Sequence, residues 1–483
     1  MLEKIVSTVN DIVWSPVLVF LLIAAGLYFS IRTRFVQLRR IGLMVRLLFR
    51  KQDKTDGRQG VSSFEAFCIA LSGRVGTGNI VGVATAIALG GPGAVFWMWV
   101  IAFFGASTAF VESTLAQLFK FSHSTGFRGG PFCYIDQGLR SRPLAIVYAF
   151  FTILACSLLL PTVQANGMAT AAMNSFHIPP VYAGLFLAFL TGLVIVGGIK
   201  RIARAAAIVT PFMAGIYILI SIVILLLHWD AIPGLLSCIV RNAFGIHPLC
   251  GGILGSTIMM GVKRGLFSNE AGQGTGAIPS ASADVLHPAE QGLVQAFSVY
   301  VDTILVCTAT ALMILSAGTY NIVDANGTLL YAGAPELGAN YVGFTQAAVD
   351  SVIGGFGSAF VSIALTFFVF TTLLAYYFYS ESSVIYLCHI RGKDSTRTER
   401  VLLRILQALI LSAIVFGSAR EANLAWALGD IGVGIMAWVN VIAILFLAPR
   451  AVRALREYEK SFLNEKSERS QKRSGGQRPT GGV

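Results

Sequence analysis

Charged side chains are scarce in this sequence: Asp, Glu, Lys and Arg together make up 12% of 483 residues. A soluble domain carries about 25%, and so few charges cannot solvate a globule of this length. The scarcity excludes a soluble fold and, with a hydrophobic share of 55%, points to an integral membrane protein. Other absences narrow the function. No Walker A pattern is present, which argues against a primary pump. No HExxH occurs, and no Ser/His/Asp set falls at a shared depth, which argues against a membrane-embedded enzyme. No single residue type repeats in a way that would build the rings of a channel. The seven cysteines include no CxxC pair and read as small buried apolar residues. Cys238 and Cys250 fall on one outer loop, where a disulfide is the alternative. His123, His177, His228, His247, His287 and His389 lie near the ends of apolar runs, with no spacing that suggests a metal site. No cleavable leader is expected, because Lys4 is a weak basic start and no small-x-small site follows the first apolar run.

What is present is a series of eleven apolar runs: 13–31, 61–90, 92–119, 144–174, 181–198, 205–228, 251–278, 292–318, 346–378, 402–418 and 424–448. Each is about the length needed to cross a bilayer. A net charge of +12 would suggest nucleic acid in a soluble protein, but here the basic residues sit between the runs. If all eleven runs cross, thirty of the thirty-six Lys and Arg fall on one side. That side is expected to be cytoplasmic, with the N-terminus outside and the C-terminus inside a bacterial inner membrane. The outer loop 319–345 carries Asp324 and Glu336 but no Lys or Arg. Four segments are expected: an N-terminal helix with a basic cytoplasmic loop (1–60), five helices (61–245), five more (246–450), and a basic disordered cytoplasmic tail (451–483).

Two runs are unusually rich in glycine and polar groups. One reads Ser72-Gly73-Arg74-Val75-Gly76-Thr77-Gly78-Asn79, the other Lys263-Arg264-Gly265-Leu266-Phe267-Ser268-Asn269-Glu270-Ala271-Gly272-Gln273-Gly274-Thr275-Gly276. Glycine lowers helix stability by about 1 kcal/mol per residue relative to alanine. Unwound backbone at membrane depth is tolerated only where it lines a cavity or is buried in protein. The first stretch opens the first five-helix unit and the second opens the second. Five is odd, so the two units have opposite orientations, the pattern of an inverted-repeat transporter with its site at the repeat interface. Close helix packing through small residues is the competing explanation for either stretch alone. A broken helix frees backbone N–H groups, which suit a carboxylate, and carbonyls, which suit a hard cation.

The sequence resembles the alanine/glycine:cation symporter family over nearly its whole length. The strongest matches are Gly76-Thr77-Gly78-Asn79-Ile80 with Gly90-Gly91-Pro92-Gly93-Ala94, then Arg264-Gly265-Leu266-Phe267-Ser268-Asn269-Glu270-Ala271-Gly272. Gly129-Gly130-Pro131, His287-Pro288 and Asp302-Thr303 add to them. The resemblance implies an all-α membrane fold of the leucine-transporter-like type, a 5+5 inverted repeat (helices 2–6 and 7–11) with one extra helix in front. It implies sodium-coupled symport of a small neutral amino acid, alanine or glycine, with no cofactor beyond the coupling ion and the bilayer as the other partner. Carried over by position, the amides of Thr77 and Gly78 would hold the substrate carboxylate. Asn79, Gln164, Phe267, Ser268, Asn269 and Tyr376 would line the pocket. Sodium would lie at the carbonyls of Ser72, Val75 and Phe368 and the hydroxyls of Thr371 and Thr372. Many relatives carry a tryptophan where this sequence has Tyr376, a change that bears on substrate size.

Each polar residue also has a structural reading. Thr371 and Thr372 can bond the preceding turn of their own helix, and Gln164 can join two helices. Arg74, within a span, must face water or find a partner, with Glu270 and Asp302 as candidates. Lys263 and Arg264 read as a gate or as side chains reaching an aqueous cavity; Arg264, like Arg74 and Glu270, is a candidate for gating or pairing. Glu270 reads as a structural pair or as the site of proton coupling, the main rival to sodium. Glu112 and Asp302 read as acids that hold the fold.

Overall fold

The structure is a computed structural model that describes residues 2–50, 60–245, 254–324, 327–394, 396–420 and 422–475. It is helical almost throughout, with two small antiparallel hairpins. The hairpins are β1 (Phe121–His123) with β2 (Gly126–Arg128), and β3 (Asn321–Val323) with β4 (Leu329–Ala332). A short helix Leu2–Val13 precedes α1 (Pro16–Arg32). Then come α2, in two parts (Ser63–Arg74 and Gly78–Gly90), α3 (Gly93–Leu118), α4 (Arg142–Phe176), α5 (Pro180–Ile195) and α6 (Gly198–Leu227). After them come α7, also in two parts (Leu254–Asn269 and Ala277–Ser282), and α8 (Pro288–Ala317). The last three are α9 (Gly357–His389), α10 (Arg397–Ser418) and α11 (Ala422–Gly475).

Among the described residues eight helices are long and apolar enough to cross a bilayer, and the two parts of α2, bent by 49°, make a ninth. Pro180–Ile195 is apolar but shorter, and α7 is divided into pieces of sixteen and six residues. Large apolar side chains such as Phe186, Phe212, Leu226 and Phe446 face outward, as expected where the surrounding solvent is hydrocarbon rather than water.

The local chemistry explains the breaks. Ser62 and Glu65 close a capping box at the start of α2, each side chain bonded to the other's backbone N–H. The first part of α2 stops at Arg74, where Val75 turns extended (φ −80°, ψ 93°). The first part of α7 stops at Asn269, because Glu270 takes a left-handed backbone (φ 55°), with Gly272 and Gly274 also at positive φ. The two broken helices run antiparallel along their whole length. Val61, at the start of α2, pairs with Ala283 at the end of α7. At the other end Ser256 and Thr257 of α7 donate to the carbonyls of Leu89 and Gly90 at 2.6 and 2.7 Å. Opposite orientation of the two five-helix units therefore appears directly in their first members. Packing also accounts for some of the glycine: a Cβ on Gly265 would come within 2.4 Å of Ile101 of α3.

Among the described residues three spans contain a π turn near the middle of the helix: Gly78–Gly82 in α2, Ala155–Leu159 in α4 and Tyr300–Cys307 in α8. Helix α3 packs on α2, α7, α8 and α1, while α4, α5, α9 and α10 pack on one another. The site described below lies between these two groups.

Two expectations need correction. The ninth run was placed at 346–378, but its helix is Gly357–His389, preceded by a separate short helix Tyr341–Asp350. The apolar residues before Gly357 belong to a turn with Gly355 at φ 76°. The polar end, Ser380 to Ser383, is buried against protein, so hydropathy understates it. The tail expected to be disordered continues α11 as helix to Gly475. Glu465 and Arg469, like Glu468 and Lys472, stand four residues apart, a spacing that supports an isolated helix. Residues 476–483 of that tail lie outside the described residues, as do Cys250 and His247, so the disulfide alternative falls there too.

Candidate functional site

The unwound stretch of α2 meets α9 at one point. The Thr372 hydroxyl lies 2.8 Å from the Ser72 carbonyl, 3.1 Å from that of Val75 and 2.8 Å from that of Phe368. The Phe368 carbonyl also accepts from the Thr371 hydroxyl at 3.1 Å, which has the Phe367 carbonyl at the same distance. All five residues expected at the ion site are thus brought together. The end of α2's first part explains why: Ser72 and Val75 lie where carbonyls lose their helical partners. One hydroxyl has one hydrogen and cannot satisfy three carbonyls.

Gly76 connects this cluster to the expected substrate pocket. A Cβ there would lie 2.7 Å from the Thr372 hydroxyl and 2.8 Å from the Gln164 amide oxygen, so only glycine lets both groups approach the same backbone. The Thr77 N–H donates to Gln164 Oε1 at 3.0 Å. The Gln164 amide nitrogen reaches the Tyr376 hydroxyl at 3.4 Å. Gly78 lies against Ser268 and Phe267 of α7. The Asn269 side-chain oxygen accepts from the Ala271 N–H at 3.0 Å, while its amide nitrogen, fully buried, has no hydrogen-bond partner among the described residues.

Two expected pocket residues are committed elsewhere. Asn79 donates to Asp302 Oδ1 at 2.6 Å and Ser268 donates to Asp302 Oδ2 at 2.8 Å, joined by Thr303 at 2.7 Å. Asn79 also accepts from the Gly76 N–H at 2.8 Å. These side chains fix the break to α8 through a buried carboxylate with three donors. Asp302 therefore holds the fold, as the sequence suggested.

Arg74 does not pair with Glu270 or Asp302. Its guanidinium donates to the Asn269 carbonyl at 2.7 Å, to the Gln295 amide oxygen at 3.2 Å and to the Ser298 hydroxyl. Asn269 ends the first part of α7, so its carbonyl is an orphan at the negative end of a helix, and a cation suits it. Glu270 accepts from the Tyr379 hydroxyl at 3.3 Å, and its second oxygen is buried without a hydrogen-bond partner. Glu112 accepts from the Gly272 N–H at 3.2 Å and from Asn440 at 3.0 Å, which in turn donates to the Gly272 carbonyl. It thereby holds the second break, in line with a fold-holding acid.

Above the pocket, toward the start of α7, Lys263 and Arg264 converge on Asp430 of α11 at 2.8 and 2.6 Å. The Arg264 guanidinium stands 4.6 Å from the ring centroid of Trp426, whose ring lies 5.0 Å from that of Phe267. Pairing, one of the two readings of Arg264, is what the structure contains. Asp430 and Trp426 were missed. Both sit in an apolar helix with no motif around them, and the available signal was that two cations within a span require an anion.

The chain matches the family described as the Sodium:alanine symporter family over residues 1–473. It is 50% identical over 455 residues to a putative sodium/proton-dependent alanine carrier protein of Bacillus subtilis (94% of this chain, 92% of that protein). It is 39% identical to a probable sodium/glutamine symporter of the same organism (95% and 91%), and 35% identical to the sodium/alanine symporter of Methanococcus maripaludis (96% and 98%). Among solved structures it resembles MhsT in complex with L-phenylalanine, with a TM-score of 0.56 at 14% identity (82% of this chain, 98% of that one). It also resembles a Na+-coupled sialic acid symporter in a substrate-bound outward-open state, with a TM-score of 0.53 at 15% identity (90% and 86%). These likenesses carry the leucine-transporter-like fold that the family resemblance implied. The chain is a multi-pass membrane transporter, not an enzyme, and belongs to the sodium:alanine symporter family.

Proposed function

We propose that this transporter carries a small neutral amino acid, alanine or glycine, into the cell together with sodium, by alternating access. The observation that carries the reading is the Thr372 hydroxyl set among three carbonyls within 3.1 Å, a surplus of acceptors that a hard cation would relieve. The ion would join α2 to α9 and order the stretch around Thr77. There the amides of Thr77 and Gly78 would take the substrate carboxylate once Gln164 releases the first of them. The orphan amide of Asn269, with Phe267 and Tyr376, would meet the rest of the molecule. Sodium then raises substrate affinity, and by linkage substrate raises sodium affinity. Where cytoplasmic sodium is scarce the ion leaves and the substrate follows. If all eleven runs cross, thirty basic residues fall on one side, which supports a cytoplasmic C-terminus and an outer N-terminus in a bacterial inner membrane.

A second reading, proton coupling, is favoured by one observation: among the described residues Glu270 is buried with no cation bonded to it. Uptake of labelled alanine into proteoliposomes separates the two. Uptake driven by an inward sodium gradient, and reduced by unlabelled glycine, serine or D-alanine, supports the first and ranks the substrates. Uptake driven by a proton gradient alone, and abolished in Glu270→Gln, replaces it with the second.

A further inference from the structure

The fold gathers a second polar cluster far from the pocket, where the β1–β2 hairpin meets the connection between α9 and α10. His123 closes β1, and its side chain is 2% exposed. Its Nε2 is buried without a hydrogen-bond partner and stands 3.4 Å from Glu399 Oε2, on a side chain 5% exposed. Its Nδ1 lies 2.9 Å from the Thr125 hydroxyl, which also accepts from Arg128 at 2.9 Å. The Thr125 N–H also donates to Nδ1 at 3.4 Å, so the ion-free ring carries its proton on Nε2 toward Glu399, and an ion on Nε2 requires the other tautomer, with Nδ1–H on the Thr125 hydroxyl. Asp394, half-exposed, completes the group: one ligand atom each from His123, Asp394 and Glu399 lie within 4.8 Å of one another. Asp394 Oδ2 is held by His389 Nδ1 at 2.7 Å, and the His389 ring stacks on Phe121 with centroids 4.3 Å apart.

We infer that His123, Asp394 and Glu399 form a binding site for a divalent first-row transition ion. One imidazole and two carboxylates are a donor set that zinc, manganese and iron(II) share. A +2 charge matches the two carboxylates. Bonds of about 2.0–2.2 Å keep ligand atoms within roughly 4.4 Å of one another. The His123–Glu399 spacing already satisfies this, and Asp394, on an exposed connection, closes the remainder. His389 on Asp394 and Thr125 on His123 are the outer partners that orient such ligands.

The position gives the site a consequence. The hairpin directly follows α3, which packs with α7 and α8, whereas Asp394 belongs to the connection between α9 and α10 and Glu399 to the first turn of α10. A bound ion bridges the two helix groups at the end where basic loops collect. It therefore opposes their separation there and slows turnover without touching the substrate pocket.

The test uses the full chain, purified, stripped with chelator, and titrated with zinc alone. One zinc per chain is expected, with a rise in melting temperature on binding. His123→Gln should bind at least about tenfold more weakly and lose the zinc-dependent rise, while its zinc-free melting temperature stays near wild type. His123→Cys, which supplies a thiolate, should bind. If His123→Gln does not fold, Asp394→Asn, on an exposed side chain, reads the same loss. Absence of stoichiometric zinc in the wild type, or equal affinity in wild type and both variants, overturns the site and leaves His123 and Glu399 as a close polar pair 3.4 Å apart. The binding readout is independent of what the protein transports, so its failure and failure of the sodium-symport reading are separately visible.

Discussion

Replacing Thr372 by valine keeps the shape of the side chain and removes only the hydroxyl. In the structure that hydroxyl is the point at which α9 reaches the carbonyls of Ser72 and Val75. A ligand or hydrogen bond to a charged group contributes about 1.5–3 kcal/mol, and each 1.4 kcal/mol is a factor of ten. The sodium concentration for half-maximal uptake should therefore rise roughly 10- to 150-fold. Because the two ligands are linked, alanine affinity at fixed low sodium should fall with it and recover at saturating sodium. Thr372→Ser restores the oxygen and should return close to wild type. The assay is alanine uptake into proteoliposomes across a sodium series, with melting temperature as the control for folding. A Thr372→Val protein that folds and keeps the wild-type sodium dependence would refute the ion site, and with it the coupling route from α9 to the break in α2.

Three further perturbations address other parts of the molecule. Gly76→Ala would drive a methyl between the Thr372 hydroxyl and Gln164, within 2.7–2.8 Å of each; overpacking of this kind costs about 1–3 kcal/mol, so both sodium and alanine dependence should worsen at least several-fold, and normal values for either would show that the two clusters are not joined there. Asn269→Ala removes the unpartnered amide and, with it, the acceptor of the Ala271 N–H, and should weaken alanine binding about tenfold, measured by displacement of labelled alanine, with a modest fall in melting temperature from the lost buried hydrogen bond. Asp430→Asn leaves Lys263 and Arg264 buried without their carboxylate, a change that typically destabilises by about 3–5 kcal/mol. Arg264→Gln added to it should restore part of the melting temperature, and a fall no smaller in the double variant would mean that the ion pair is not the source.

The sequence was most informative where backbone chemistry leaves a compositional mark. The glycine-rich stretches revealed both breaks, because unwound backbone inside a membrane needs residues without side chains in the way. The grouping of Ser72, Val75, Phe368, Thr371 and Thr372 was legible only through resemblance, since main-chain carbonyls leave no mark on side-chain identity. Ser72, Val75 and Phe368 contribute only main-chain oxygens. Partner choice was not legible. Arg74 was expected on an acid and instead caps the end of α7 through the Asn269 carbonyl, because the identity of an orphan carbonyl depends on where the helix stops. Asp430 and Trp426 stayed hidden because one acid and one aromatic in a long apolar helix are unremarkable until the neighbouring helix is known. Helix α9 was misplaced because hydropathy counts residues buried in protein as if they faced water. Glu381, for instance, lies 3.9 Å from Arg128 rather than in a loop.

The π turns in α2, α4 and α8 have a consequence for how this protein can change over evolutionary time. A π turn is an α-helix with one residue inserted, and each residue of helix turns the chain by about 100°. In α8 the turn begins at Tyr300, so it separates Gln295 and Ser298, which address Arg74, from Asp302, which addresses Asn79 and Ser268. Deleting one residue there would give a more regular helix of nearly unchanged composition, yet the two sets of side chains would no longer point at both broken helices together. Lineages of such a transporter should accumulate substitutions in these turns freely and length changes hardly at all. The extra residue acts as a ratchet: once the aim of an entire helix face depends on it, the simpler helix is no longer within reach.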